Sequence, residues 1–328
     1  MPAIAPEEIV AAIISAITDS GCTGQLASTA RRQPRRFIIA GPNAPLAMTV
    51  YAWTLTPGGR PALRNEYRIQ MTSVLSPLQV GTDGPTVLMG YEPGSNIFAG
   101  FDLQRHRTFT TGSPSVQIDI EELRRAETDG LSFHRKTNEE IAIGVRPDMF
   151  VTYAMNASVL HRYGKDANVL RLLNQAVHEA PARQDLETLS AERRRIVSEV
   201  SRLSRAADFR QRVLFAYGNR CAVTRVQLRL VDAAHILPVG APGSADHVSN
   251  GIALSPTYHR AFDAGLIHLD EGNRMRLNDG QVHDLERLDL AGGLEAFRAP
   301  LGQIFLPPDP QQRPALDFIR RANQFRKI

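Results

Sequence analysis

Hydrophobic positions change rhythm along the chain, and the changes mark its elements. Residues 8–18, EIVAAIISAIT, are largely apolar and follow directly on Pro6-Glu7-Glu8, which predicts a packed helix from Pro6 to about Thr18 with acids at its positive end. From Phe37 to about Val145 the apolar residues come instead in short runs: Phe37–Ala40, Ala47–Trp53, Tyr67–Met71, Thr86–Met89 and Ile97–Phe101. Turn dipeptides such as Gly58-Gly59, Gly84-Pro85 and Pro93-Gly94 punctuate these runs, so each reads as a strand. Val116–Ile120 alternates with period two before Glu121–Ala126 turns helical, and a further strand is expected over Glu140–Val145. Helices are expected from Met149 to Tyr163 and from about Asn168 to His178. Glu179–Asp185 breaks the pattern and reads as a linker. A charged helix from Leu186 to about Leu203 and a second from Asp208 to Tyr217, ended by Gly218, lead into the C-terminal part.

These elements predict an α+β protein in two domains. Residues 1–180 form a mixed, mostly-β domain with flanking helices. Residues 186–328 form the second domain, with its core at 208–280. At 328 residues and 36.2 kDa the chain is long enough for both to bury a core.

The chemistry concentrates at 221–270. A strand-like run, Leu228–Val231, leads into Asp232-Ala-Ala-His235-Ile-Leu-Pro238, and a polar loop then reaches Ser249-Asn250-Gly251. Ile252–Leu254 reads as a second strand. Ser255 with Pro256 marks a helix start, and on that helix His259 and Asp263 share one face. Two strands and a helix thus bring an imidazole, an amide and a second imidazole near one point. Phosphodiester hydrolysis needs such a set: a base for water, and a cation against the charge that grows on phosphate. A histidine whose second ring nitrogen is hydrogen-bonded is a good base near neutral pH.

In order, the motifs are C-x-x-T from Cys221, A-A-H-I-x-P, N-G-I-A-L-S and H-x-x-F-D. The stretch resembles the HNH, or ββα-metal, endonucleases. The resemblance implies that His235 is the general base, that Asn250 pins the loop and so orients it, and that His259 is a metal ligand. Many relatives carry a second ligand immediately before the base, where this chain has Ala234. Asp232 is the candidate replacement, against an ordinary turn acid. Asp263 sits where some relatives have another histidine, and it either binds metal or braces the helix. No catalytic role is expected for His247 or His268. The resemblance implies a divalent metal, Mg²⁺ first with Mn²⁺ as the alternative. Some relatives fold around a four-cysteine zinc; here Thr224 replaces the companion of Cys221, so no structural zinc is expected.

Composition adds a partner. Net charge is +4 with a pI near 9.3. Only three of the 38 basic residues are lysines, leaving 35 arginines, which suits contact with phosphate and guanine as well as a GC-rich coding bias. Double-stranded DNA is the expected partner. The candidate contacts are Arg260 beside the metal ligand, Arg35 and Arg36 in the RRQPRR run, and Arg64 and Arg68 flanking Glu66. Each has a surface or ion-pair alternative. Trp53, Tyr67, Tyr91 and Phe101 are candidates to stack on an extruded base. No apolar run approaches a membrane span and no signal peptide is evident, so a cytoplasmic protein is expected.

The N-terminal half is loosely similar to target-reading domains fused to restriction nucleases, including some that sense modified cytosine, on NEYRIQM, GPTVLMGYE and IFAGFD. The expected function is restriction of foreign DNA, with cytosine modification as the selecting mark. The alternatives are an effector nuclease whose N-terminal domain senses a small molecule or protein, and a non-cleaving DNA-binding module on a degenerate HNH scaffold. One site cuts one strand, so a double-strand break implies a homodimer or successive nicks.

Overall fold

A computed structural model describes residues 3–41, 45–59, 64–110, 112 and 114–328. The chain divides into two compact units, Met1–Ala207 and Asp208–Ile328.

In the first unit α1 (Pro6–Asp19) precedes β1 (Thr23–Leu26), β2 (Arg35–Ala40), β3 (Leu46–Thr54), β4 (Thr56–Pro57) and β5 (Glu66–Gln70). Then come β6 (Thr86–Glu92), β7 (Ile97–Phe101), α2 (Leu103–His106), β8 (Ser115–Asp119), α3 (Ile120–Asp129), β9 (Leu131–Arg135) and β10 (Ile141–Val145). Helices α4 (Phe150–Tyr163), α5 (Ala167–Ala176) and α6 (Arg183–Glu187) follow. A seven-stranded sheet runs β1-β2-β3-β6-β7-β10-β9, in which β3 and β6 are parallel. A three-stranded sheet runs β4-β5-β8. One core lies between the large sheet and α1, α4 and α5, around Ile13, Phe37, Phe98 and Phe150. A second core, around Leu55, Ile69, Phe101 and Leu123, joins the large sheet to the small one and α3. The mixed, mostly-β expectation holds.

Strand periodicity also corrects two expectations here. In β2 burial alternates strictly, placing Arg35 on the core face and Arg36 on the solvent face. Arg35 is 3% exposed, and its guanidinium donates to the Ala30 and Ala52 carbonyls at 2.7 and 2.9 Å, so it is not available to DNA. Tyr91 and Phe101 are likewise core residues, which removes them as stacking platforms. Trp53 and Tyr67 remain half-buried.

The two helices expected over 186–217 form one, α7 (Ala191–Ala216), which crosses the division between the units. Leu189, Ile196, Val197 and Val200 are buried in the first core, so the first unit extends well past the expected boundary near 180–186. In the second unit the same helix contributes Phe209 and Val213.

The second unit continues with β11 (Asp232–His235), β12 (Gly251–Leu254) and α8 (Pro256–Asp263). After these come β13 (Ile267–Leu269), β14 (Arg274–Leu277), α9 (Asp279–Arg287), α10 (Leu294–Arg298), β15 (Gly302–Gln303) and α11 (Leu316–Arg326). Strands β11 and β12 pair antiparallel with His235 opposite Gly251 and Asp232 opposite Leu254. The strand expected over Leu228–Val231 is absent. Leu228 and Arg229 take left-handed backbone angles (φ 45° and 54°), and Leu228 and Leu230 are exposed, so these leucines punctuate a turn. Gly251 is required by space: a Cβ there would come within 2.2 Å of Val213 Cγ2 and 3.1 Å of Phe209 Cζ. That close approach seats the β11–β12 hairpin against the end of α7.

Candidate active site

The β11–β12 hairpin and α8 place the predicted residues around one cavity of about 330 Å³. It is lined by Ala233, His235, Pro238, Val239, His259, Asp263 and Arg326. Ala233 and His235 share the cavity-facing side of β11, while Ala234 is buried. Ser255 is the N-cap residue of α8 and Pro256 its first helical position, as expected, although the Ser255 side chain makes no capping bond. Phe262, fully buried, anchors the opposite face of α8. That leaves His259 and Asp263 turned toward the cavity.

His235 is held on two sides. Its ring stacks on Phe209 with centroids 3.8 Å apart and planes 13° from parallel. Its Nε2 lies 3.0 Å from Asp246 Oδ1. Neither partner is visible in the local pattern: Phe209 lies on α7, and Asp246 lies in the loop eleven residues after the histidine. The Asp246 carboxylate fixes the tautomer that leaves Nδ1 as the basic nitrogen.

Asn250 is fully buried and does not line the cavity. Its Oδ1 accepts from the Leu237 amide at 2.8 Å. Its Nδ2 donates to the Leu237 and Ala245 carbonyls at 3.3 and 3.0 Å and to Ser244 Oγ at 3.4 Å. One amide thus ties both ends of the loop that runs from Leu237 back to Asp246.

His259 sits between two acids. Nε2 is 3.3 Å from Asp263 Oδ2, and Nδ1 is 4.0 Å from Asp232 Oδ2. The Asp232 hydrogen bond, with help from the charges on both acids, raises the His259 pKa against the opposing effect of burial. In return the His259 hydrogen bond and the Arg210 guanidinium, 3.4 Å from Asp232 Oδ1, lower that of Asp232. Asp263 and His259 Nε2 both face the cavity, whereas Asp232 does not line it.

Does this donor set fit a divalent ion? A nitrogen and a carboxylate oxygen 3.3 Å apart have a spacing that one cation can bridge, and their chemistry suits a hard or borderline ion. Among the described residues no third His, Cys, Asp or Glu converges on the pair, so water and phosphate oxygens would complete the shell. The residues fit.

With the geometry in place, comparison with known proteins decides the family of this segment. Residues 221–270 match the family model described as HNH endonuclease. The segment is an HNH endonuclease domain, and the chain is a nuclease. HNH endonucleases generally use a divalent metal. Residues 46–154 match a second family model, described as "Methylase-associated X1". A solved structure titled "Modification dependent TagI restriction endonuclease" aligns over 84% of this chain and 80% of its own, at 13% identity and a TM-score of 0.30. No curated protein sequence matches.

The remaining expected contacts scatter. Arg260, next to the HNH ligand His259, is exposed and lies outside the cavity lining. Arg36 is paired with Asp83. Arg64 and Glu66 line a separate cavity of about 720 Å³ in the first unit, together with Gln117, Asp119, His134 and Lys136, while Arg68 does not. Neither His247 nor His268 reaches the HNH cavity. Sequence reasoning missed Asp246, Phe209 and the cavity-lining role of Arg326.

Proposed function

We propose that this chain is a metal-dependent DNA endonuclease of restriction type. In this reading the C-terminal unit cuts and the N-terminal unit selects DNA carrying modified cytosine. One observation carries the catalytic part: His235, with its second nitrogen on Asp246, shares a cavity with the His259–Asp263 pair. His235 Nδ1 takes a proton from water as the water oxygen bonds to phosphorus. The bond from phosphorus to the leaving sugar oxygen breaks, and that oxygen takes a proton from solvent. A divalent cation, Mg²⁺ with Mn²⁺ as the substitute, supplies positive charge beside the phosphoryl and leaving oxygens when bound. His259 and Asp263 hold it, Asp232 orients the His259 ring, and Asn250 keeps the loop carrying Asp246 in place.

The selecting role draws support from the family description of residues 46–154, which associates that segment with methylases. The 720 Å³ cavity, lined by Arg64, Glu66 and Gln117, is the candidate reading site. Its mixed charge also favours a second reading, an effector nuclease in which this cavity takes a small polar ligand.

The experiment is a Mg²⁺ or Mn²⁺ cleavage assay on paired plasmids, one unmodified and one with methylated or hydroxymethylated cytosine. His235→Ala runs beside the wild type. Cutting of the modified plasmid alone, slowed about 10²- to 10⁴-fold in the variant, is expected. Equal cutting of both plasmids would remove modification dependence. Cutting that appears only with an added small molecule would favour the effector reading. Cutting that persists undiminished in the variant would end the base assignment.

A further inference from the structure

One wall of the HNH cavity comes from far outside residues 221–270. Arg326, the last residue of α11, lines it beside His235, His259 and Asp263. Two contacts fix its guanidinium. Nη1 donates to the Ile236 carbonyl at 2.8 Å, and Cζ lies 4.7 Å from the centroid of the Phe262 ring. The guanidinium is therefore pinned between the residue after the base and the helix that carries His259.

Its other terminal nitrogen, Nη2, is buried and has no hydrogen-bond partner. Leaving a buried donor unmet costs on the order of 1–3 kcal/mol, so such a group in a functional cavity calls for an acceptor. Burial also lowers the Arg326 pKa, and only the Asp263 carboxylate works against this. A permanently charged, partly desolvated group short of negative charge is what an incoming phosphate diester would complement. Other arginines of this unit are engaged elsewhere. Arg210 holds Asp232, Arg320 holds Glu271, and Arg321 bonds Asp317. Among the residues lining the cavity, Arg326 is the sole permanent cation.

We propose that Arg326 is a catalytic residue that receives the scissile phosphate, with Nη2 on a non-bridging oxygen while Nη1 stays on Ile236. The proposal rests on the nuclease activity of the HNH domain and is independent of which DNA the N-terminal unit selects. Charge grows on those oxygens as water attacks, so a fixed guanidinium beside them binds the transition state more tightly than the ground state.

The test uses the full chain with Arg326→Ala and Arg326→Lys. Removing one oxyanion donor costs about 10²- to 10³-fold in kcat, and that loss is expected for Arg326→Ala with KM little changed. Lysine should restore only part of it, because it lacks the planar fork that reaches Ile236 and phosphate together. Millimolar guanidinium ion should partly rescue the alanine variant. Mn²⁺ affinity, by calorimetry, and the melting temperature should stay near wild type. A purely structural brace would behave otherwise, losing activity together with Mn²⁺ binding or melting temperature and without rescue, and that result overturns the proposal. Full activity in Arg326→Ala overturns it equally. A second arm needs no turnover: with Mn²⁺ bound, the ³¹P relaxation of inorganic phosphate should be enhanced by wild type and markedly less by Arg326→Ala. Should the wild type cut no DNA, this arm decides alone, and equal relaxation in both proteins rejects the role.

Discussion

The N-terminal unit closes its buried charges on one another. Glu140, 3% exposed, is met by His106 Nε2 at 2.6 Å and Lys136 Nζ at 3.1 Å. Burial would push its pKa up, but the His106 hydrogen bond and the Lys136 charge outweigh that and hold it at about 2. His161 is fully enclosed, with Nδ1 on the Ile141 carbonyl and Nε2 on the Tyr153 hydroxyl, both at 2.9 Å, and burial keeps it neutral. The C-terminal cavity leaves its groups open instead. Asp263 is exposed beside His259, and Arg326 keeps an unmet donor. Closed networks hold a scaffold rigid, whereas groups with capacity to spare can take a ligand. The contrast separates residues that are costly for folding from those costly for chemistry.

The sharpest way to break the contrast is Glu140→Ala. Removing one partner of a buried ion pair costs about 3–5 kcal/mol, because Lys136 is left uncompensated. A fall in denaturant midpoint of that order is expected, with cleavage per folded molecule unchanged. The depressed Glu140 value also fixes a sign: its contribution to stability is present above the ordinary pKa of 4.5 and fades as pH falls toward about 2. Acid unfolding followed by circular dichroism should therefore lose part of its pH slope in Glu140→Gln.

Asp246→Asn reverses the pattern. Stability should hardly move, while cleavage falls about 10- to 100-fold as His235 loses the partner that fixes its tautomer. A large stability loss with unaltered kinetics would place Asp246 with the scaffold groups.

The smallest effect is a pH dependence at His259. Its raised pKa means that the protonated ring stabilises the metal-free fold below the ordinary value near 6.5. That contribution is lost as pH rises through the raised value. Metal ligation needs the neutral ring, so Mn²⁺ affinity should climb between about pH 6 and 8, with proton release visible in calorimetry. Asp232→Asn should move this rise to lower pH.

The folding of the site was legible wherever the signal was local. His235, Asn250 and His259 stand on the elements their spacing predicted, because strand, turn and helix-start chemistry act over a few residues. The sheet was legible as runs of strand, but β1 and β9 went unread. β1 (TGQL) has no apolar alternation, and β9 (LSFHR) is an edge strand hidden behind α3. Leu228–Val231 misled because apolar composition says nothing about a left-handed turn. Arg35 misled for the opposite reason: strand period gives the face but not which face is buried, and here the core side received a guanidinium with two carbonyls to meet it. Asp246, Phe209 and Arg326 were invisible because their significance lies in tertiary contacts across 11, 26 and 90 positions, beyond any sequence period.

The position of Arg326 bears on how this nuclease would be trimmed. The HNH match ends at residue 270, yet a wall of its cavity arrives 56 residues later, after a small sheet and two further helices. A minimal fragment cut to the motif would keep every signature residue and still lack the guanidinium, along with Ile319 and Ala322, which pack α11 into the core. The recognisable unit and the working unit of this enzyme are different lengths of chain.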